Sequence, residues 1–216
     1  MRFVLPAALA ALTCLPAPAA WSAPVTFDES WKHQRFSLFS RNEYARRGGA
    51  LDVASDGAVS LLYRELPKSA WQASGASWSW QVSQSVPPTN LARKGGDDRN
   101  LALYFVFLPE AEAERVRGSR VTRLLSNDDV RVLVYVWGGE HARGAVLNSP
   151  YLGARGKTVV LRGAGTGEAR ESVDLAADYA RAFGGQATSL VGLAVSGDSD
   201  DTDSVIQARI SGLQVR

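Results

Sequence analysis

The stretch KGGDDRNLALYFVF, residues 94 to 107, decides the fold. It begins with a turn-forming segment that holds two glycines and two aspartates, and the residues that follow are nearly all apolar or aromatic. A short apolar run after a turn predicts a strand that is buried on both faces. Asp97, Asp98 and Arg99 stand at the mouth of this strand, where a charged group must face water, another charge or a ligand.

A second central strand is predicted at VRVLVYVW, residues 130 to 137, because its valines alternate with other large residues. In SWSWQV, residues 77 to 82, Trp78, Trp80 and Val82 share one face. Two interpretations of the tryptophans stay open. They fill the space between two sheets, which is the default in a sandwich, or they form a platform on which sugar rings stack.

These patterns predict an all-β protein, an antiparallel β-sandwich with one short helix. The dipeptide Asp56-Gly57 between two apolar runs is a strong hairpin signal. Helical spacing is convincing only over residues 171 to 183, which Gly184 and Gly185 end. We therefore expect a single domain over residues 23 to 216.

The N-terminal residues 1 to 22 resemble a secretory signal peptide, with an apolar run interrupted by prolines and followed by small residues. This predicts export to the periplasm or beyond and argues against a membrane-spanning anchor. Cys14, the single cysteine of 216 residues, lies inside this segment. The mature chain would have no thiol, which excludes disulfides, thiolate nucleophiles and cysteine-bound zinc. The net charge of +2, without a basic run, gives no support to nucleic acid as a partner.

The ligand-binding residues predicted from the sequence lie in the loops at the ends of the two central strands. Charged groups at a strand mouth can hydrogen-bond hydroxyl groups, and aromatic side chains can stack on sugar rings. The predicted set is Asp97, Asp98, Arg99, Trp137, Glu140, His141 and Tyr151. The alternative for the two aspartates is a turn cap, in which Asp97 accepts backbone N–H groups and Asp98 pairs with an arginine.

The segment GDSDDTDS, residues 197 to 204, offers alternating carboxylates that suit Ca²⁺, a cation that takes six to eight oxygens. Asp198, Asp200 and Asp203 are the candidate ligands. The spacing does not match an EF-hand, because a glycine at the sixth position and a glutamate at the twelfth are missing. The alternative is a solvated hairpin loop that binds no metal, and no other cofactor is expected.

An ordered series of short motifs resembles a bacterial exported family, domain-of-unknown-function family 3047. The motifs are LYRELP at 62 to 67, SWSW at 77 to 80, GGDD at 95 to 98, YFVF at 104 to 107, YVW at 135 to 137, NSPY at 148 to 151, DYARAFG at 178 to 184 and GLAVSGDSDDT at 192 to 202. The resemblance implies one β-sandwich similar to carbohydrate-binding jelly rolls. It implies no particular activity.

Three functions are compatible with these observations. The first is non-catalytic binding of a glycan or another polar ligand of the cell envelope. The second is cleavage of a polysaccharide by a carboxylate pair drawn from Asp97, Asp98 and Glu140. The third is an envelope scaffold that binds a protein partner through an exposed sheet edge. We expect the first of these and therefore no enzymatic activity.

Overall fold

The computed structural model describes residues 23–216. The predicted signal peptide and Cys14 lie outside these residues. The strands of the described part are β1 (Ala23–Pro24), β2 (Lys32–Arg35), β3 (Glu43–Arg47), β4 (Ala50–Asp56), β5 (Ser60–Glu65), β6 (Gly75–Gln84), β7 (Arg99–Leu108), β8 (Arg131–Trp137), β9 (Val146–Ser149), β10 (Gly153–Arg162), β11 (Gly167–Asp174), β12 (Ser189–Asp198) and β13 (Val205–Val215). The α-helices are α1 (Glu110–Val116), α2 (Val121–Leu125) and α3 (Leu175–Phe183), and a 3₁₀ turn spans Lys68–Ala70.

The strands form two sheets that pack face to face. The first sheet has the order β11-β6-β13-β4-β3, with β1 added beside β13. The second sheet has the order β2-β5-β12-β7-β8-β10-β9. The predicted β-sandwich is therefore confirmed. One pair of strands departs from the expected antiparallel arrangement, because β8 and β10 run parallel. The chain passes from β8 to β10 through β9, which pairs antiparallel with β10.

The core between the sheets is built from alternate residues of the central strands. From β7 it takes Leu101, Leu103, Phe105 and Phe107, all of which are completely buried. Trp78 and Trp80 of β6 meet this row from the first sheet, and the ring centroid of Trp78 lies 5.7 Å from that of Tyr135. The core interpretation of the two tryptophans is thus confirmed, and the sugar-platform interpretation is wrong.

The helices differ from the expectation of one short helix. Residues 171 to 174 belong to β11, which pairs with β6, so α3 begins four residues later than predicted. Asp174 ends the strand and caps the helix, since its carboxylate accepts a hydrogen bond from Ala177 N. Gly184, at φ 77°, ends the helix as predicted. Residues 110 to 125, where the sequence showed no convincing helical spacing, fold into α1 and α2.

The outer face of the second sheet is apolar as well. The residues of β7 that point away from the sandwich core are Ala102, Tyr104, Val106 and Leu108, and β8 adds Val132, Val134 and Val136. Helix α1 covers one end of this face through Ala113 and Val116. Tyr104, Val106, Val132 and Val134 of this face form the floor of a groove. No helix of residues 23–216 has the length and apolar character needed to span a membrane.

Candidate functional site

A groove of about 500 Å³ lies on the outer face of the second sheet. Its floor includes Tyr104 and Val106 of β7, Val132 and Val134 of β8, and Ala194 of β12. Tyr104 pairs with Val134 across neighbouring strands, which places both at the middle of the sheet. Volumes of about 300–1,000 Å³ with a mainly apolar lining are typical of small-molecule sites.

The walls of the groove come from helix α2 and from loops. Val121, Leu124 and Leu125 of the helix form one wall, and the segment 150–152 forms another. Leu91 and Phe36 also line the groove, and Phe36 is 61% exposed. The walls are therefore as apolar as the floor, which means that a ligand in the groove would be held mainly by the hydrophobic effect.

Five of the seven described charged residues that line the groove gather at one end, around Arg99, and Arg64 and Glu65 line it elsewhere. The Nη1 of Arg99 lies 3.0 Å from Asp97 Oδ2 and 3.0 Å from Asp198 Oδ2, and all three side chains are nearly inaccessible to solvent. Its Nη2 donates to Tyr104 Oη at 2.9 Å, and that hydroxyl lies 3.0 Å from Ser196 Oγ. The strand mouth is thus closed by a buried ion-pair network. We call it the Arg99 cluster, meaning Asp97, Arg99 and Asp198.

Burial affects the pKa values of both Asp198 and Arg99 in this cluster, with different outcomes. It raises the pKa of Asp198 to about 8, with Arg99 opposing the change and the carboxylates of Asp200 and Asp98 adding to it. Burial acts to lower the pKa of Arg99, but Tyr104, Asp198 and Asp97 outweigh it, and the pKa of the guanidinium is raised. Arg99 is therefore a fixed positive charge that is already matched by two carboxyl groups.

Asp98 faces the other side of the strand mouth and holds the acidic loop. Its Oδ2 accepts hydrogen bonds from both the backbone N–H and the hydroxyl of Thr202, and its Oδ1 accepts a long one, 3.3 Å, from Asp201 N. Asp98 is completely buried. The turn-capping alternative therefore describes Asp98 only in part. Asp98 accepts hydrogen bonds from backbone N–H groups, but these belong to the distant loop 198–204 and not to its own turn. Among the described residues, Asp98 does not pair with an arginine, as that alternative required.

Three of the seven predicted ligand residues, Asp97, Arg99 and Tyr151, line the groove. Tyr151 is 57% exposed, and its hydroxyl donates to Asp97 Oδ1 at 2.9 Å. Lys94 lies over the same ring, 5.6 Å from its centroid. The structure therefore brings the turn at 97 to 99 and the loop at 148 to 151 together, as the sequence predicted, and places an aromatic ring at the rim between them.

Trp137, Glu140 and His141 lie away from the groove. The expected rim position of Trp137 is wrong, because its indole is buried in the core, 5.6 Å from the ring of Trp80, and its Nε1 donates to Gly165 O. Glu140 is exposed and is held by its backbone N–H, which donates to Thr89 O. His141 is half-buried. Neither Glu140 nor His141 is among the described residues that line the groove.

The groove floor is the part of the site that sequence reasoning missed. Its residues were recognised as members of strands buried on both faces, but no groove was predicted on either face. The available signal was the absence of polar alternation in YFVF and VRVLVYVW. That pattern does not distinguish a face covered by helices from one that is left open to a ligand.

The described residues therefore define a β-sandwich protein with an apolar groove on the outer face of one sheet and an ion-pair cluster at the end of that groove. The chain belongs to the family described as "Protein of unknown function (DUF3047)", whose model matches residues 19–214. The resemblance inferred from the motifs is confirmed.

Two solved structures are similar to the chain at low identity. The xyloglucanase domain of NopAA, a type three effector from Sinorhizobium fredii in complex with cellobiose, has a TM-score of 0.46 and 8% identity over 91% of this chain and 98% of that one. A loop-swap mutant of Necallimastix patriciarum Xyn11A has a TM-score of 0.38 and 12% identity over 86% and 99%. No curated protein matches the chain.

Proposed function

We propose that this protein is a non-catalytic binding protein whose groove holds an amphipathic ligand. The apolar part of the ligand lies along the floor, and its hydroxyl-bearing end lies at the Arg99 cluster. The observation that carries the proposal is the separation of the lining into an apolar floor, formed by Val106, Val132 and Val134, and a polar end. Export to the periplasm or beyond is part of the same proposal and rests on residues 1 to 22.

The floor supplies the affinity. Removing one methylene group from water contributes roughly 0.8 kcal/mol, so an eight-carbon chain would gain about 6 kcal/mol before the costs of association.

The polar end selects the head group. Arg99 is already paired with Asp97 and Asp198, and Asp200 and Asp201 also line this end, so the local charge is negative. A ligand carboxylate would be repelled there, whereas a hydroxyl or an ammonium group can donate to the carboxylates. A sugar head group meets this requirement. A polysaccharide without an apolar part would leave the floor uncovered.

The arrangement of the carboxylates favours binding over cleavage. Glycosidic cleavage uses two carboxyl groups, roughly 5–9.5 Å apart, on either side of the bond. Asp97 and Asp198 instead share one guanidinium. The carboxylate of Asp98 already accepts a hydrogen bond from the backbone N–H of Thr202. Among the described residues that line the groove, Glu65 is the only carboxylate outside the polar end, and its Oε2 accepts a hydrogen bond from Gly118 N.

The test is displacement of the apolar dye N-phenyl-1-naphthylamine by three eight-carbon amphiphiles below their micellar concentrations. It is made in the presence of a chelator, so that no divalent cation changes the charge of the polar end. We expect octyl glucoside and octylamine to bind at least ~10-fold more tightly than octanoate, because one unfavourable charge contact of about 1.4 kcal/mol changes an equilibrium constant tenfold. Glucose alone should not displace the dye. Octanoate binding as tightly as octyl glucoside would refute the proposed head-group selection.

Val134→Phe provides the structural control. Val134 lines the centre of the floor, so a phenyl ring there fills the groove without entering the core between the sheets. Gln81→Phe adds the same ring to an exposed position of the first sheet. We expect the first variant to lose dye binding and the second to retain it. Equal dye binding by both variants would show that the dye binds outside the groove and would contradict the proposed location of the ligand.

A further inference from the structure

Three carboxylates meet beside the Arg99 cluster. Asp98, from the turn before β7, and Asp198 and Asp200, from the end of β12 and the loop after it, each offer one oxygen within 4.8 Å of the others. Oxygens at such separations can share one cation, since Ca²⁺ binds oxygen at about 2.3–2.6 Å. The group differs from the set predicted from the sequence. Asp98 replaces Asp203, whose carboxylate lies next to Gly57.

One oxygen of this group has no hydrogen-bond donor. Asp198 is only 4% exposed, and its Oδ1 is buried without a hydrogen-bond partner among the described residues. Its other oxygen, Oδ2, is taken by Arg99. The charged groups that act on Asp198, apart from Arg99, are the carboxylates of Asp200 and Asp98. A buried, unpartnered oxygen among further carboxylates is stabilised by a positive ion.

The net charge of this region also favours a bound cation. Asp97, Asp98, Asp198, Asp200 and Asp201 lie in one short region, and Arg99 is the cation paired within it. Like charges held close together destabilise a fold unless a counter-charge joins them. A divalent cation supplies two positive charges and needs no additional side chain.

We propose that Asp98, Asp198 and Asp200 bind one Ca²⁺ ion. All three donors are hard oxygens, and they come from a turn and a loop, which suits the irregular geometry that Ca²⁺ accepts better than the strict octahedron of Mg²⁺. The ion joins loop 198–204 to the mouth of β7 at the polar end of the groove. The site does not depend on the proposed ligand. The alternative is a proton shared between Asp198 and Asp200, which would leave no place for a cation.

The experiment uses the purified exported chain, stripped with a chelator and then titrated with CaCl₂ and, separately, with MgCl₂. Calorimetry gives the affinity, and thermal unfolding gives the stabilisation. At a Ca²⁺ concentration 100 times the dissociation constant, we expect Tm to rise by about 5–10 °C for a domain of this size. A protein whose heats and Tm are unaffected by 10 mM CaCl₂, about ten times the weakest dissociation constants of extracellular Ca²⁺ modules, would overturn the site.

Two variants of the same loop provide matched changes of charge. Asp200 is exposed, so Asp200→Asn removes a ligand without disturbing the core. Asp203→Asn makes the same chemical change outside the three-carboxylate group, at a φ of 49°, which asparagine accepts. We expect Asp200→Asn to weaken Ca²⁺ binding at least ~10-fold, because affinity follows the charge of the ligand set, and Asp203→Asn to leave it unchanged. Equal effects of the two variants, or tighter binding of Mg²⁺ than of Ca²⁺, would refute the assignment.

Discussion

Replacing Arg99 by methionine tests the ion-pair network at the end of the groove. The side chains of Arg99, Asp97 and Asp198 retain 11%, 3% and 6% of their exposure, and both carboxylates lie 3.0 Å from Nη1. Methionine fills a similar volume but leaves two carboxyl groups without their cation. Breaking a buried ion pair from one side costs about 3–5 kcal/mol, because the remaining charge stays buried and unpaired. The Arg99→Met protein should therefore lose about that much free energy of unfolding.

The assay is urea unfolding followed by circular dichroism, in the presence of a chelator so that no cation compensates. With a slope of about 2 kcal/mol per molar urea, the midpoint should fall by about 1.5–2.5 M. Arg47→Met is the control, because Arg47 pairs with Asp52 at 2.6 Å on the surface, where the two side chains retain 64% and 27% exposure. Exposed pairs contribute no more than about 1 kcal/mol.

A second variant distinguishes an unpaired charge from a packing defect. Adding Asp198→Asn to Arg99→Met removes one of the two stranded carboxylates, so we expect it to recover at least about 1 kcal/mol of the loss. If Arg99→Met costs no more than Arg47→Met, the burial of the network does not determine its energy and the reasoning fails. If the double variant recovers nothing, the loss comes from packing.

Three further predictions concern the core and the residues outside the groove. Trp78→Ala should lower the free energy of unfolding by about 3–5 kcal/mol in urea, because the side chain is 1% exposed and lies between the sheets. Asn42→Ala should cost about 2–3 kcal/mol in the same assay, since the buried amide donates to Gly197 O and its loss leaves that carbonyl without this donor. A urea midpoint equal to that of the unchanged protein, for either variant, would contradict the buried position given to that side chain. Glu140→Gln should change stability by less than about 0.5 kcal/mol and should leave dye binding intact, because the residue is exposed and outside the groove.

The sandwich itself was predictable because its signals are local. The turn at 95 to 98 and the apolar run after it fix the central strand, and the alternation of SWSWQV assigns Trp78 and Trp80 to one face. The helix start was predicted too early because residues 171 to 174 satisfy both helical spacing and strand pairing. Their partners on β6 decide in favour of the strand, and those partners are 93 to 99 residues away in the sequence.

The site was predictable only in part because its members come from distant segments. Asp97 and Arg99 were found because they are charged groups at a strand mouth, but Asp198, their common partner, was assigned to a separate loop. Pairing of β12 with β7 brings Asp198 opposite Arg99. The same pairing adds Asp98 to the acidic group in place of Asp203. Sequence spacing cannot reveal such a contact, since it depends on the register between two strands.

The outer faces of the two sheets differ in polarity. On the first sheet, β6 presents Ser77, Ser79 and Gln81 opposite its core residues, as a solvated strand does. On the second sheet, the same positions of β8 hold Val132 and Val134, which lie at the floor of the groove. The proposal of a ligand whose two ends differ in polarity rests on this apolar floor and on the acidic cluster beside it.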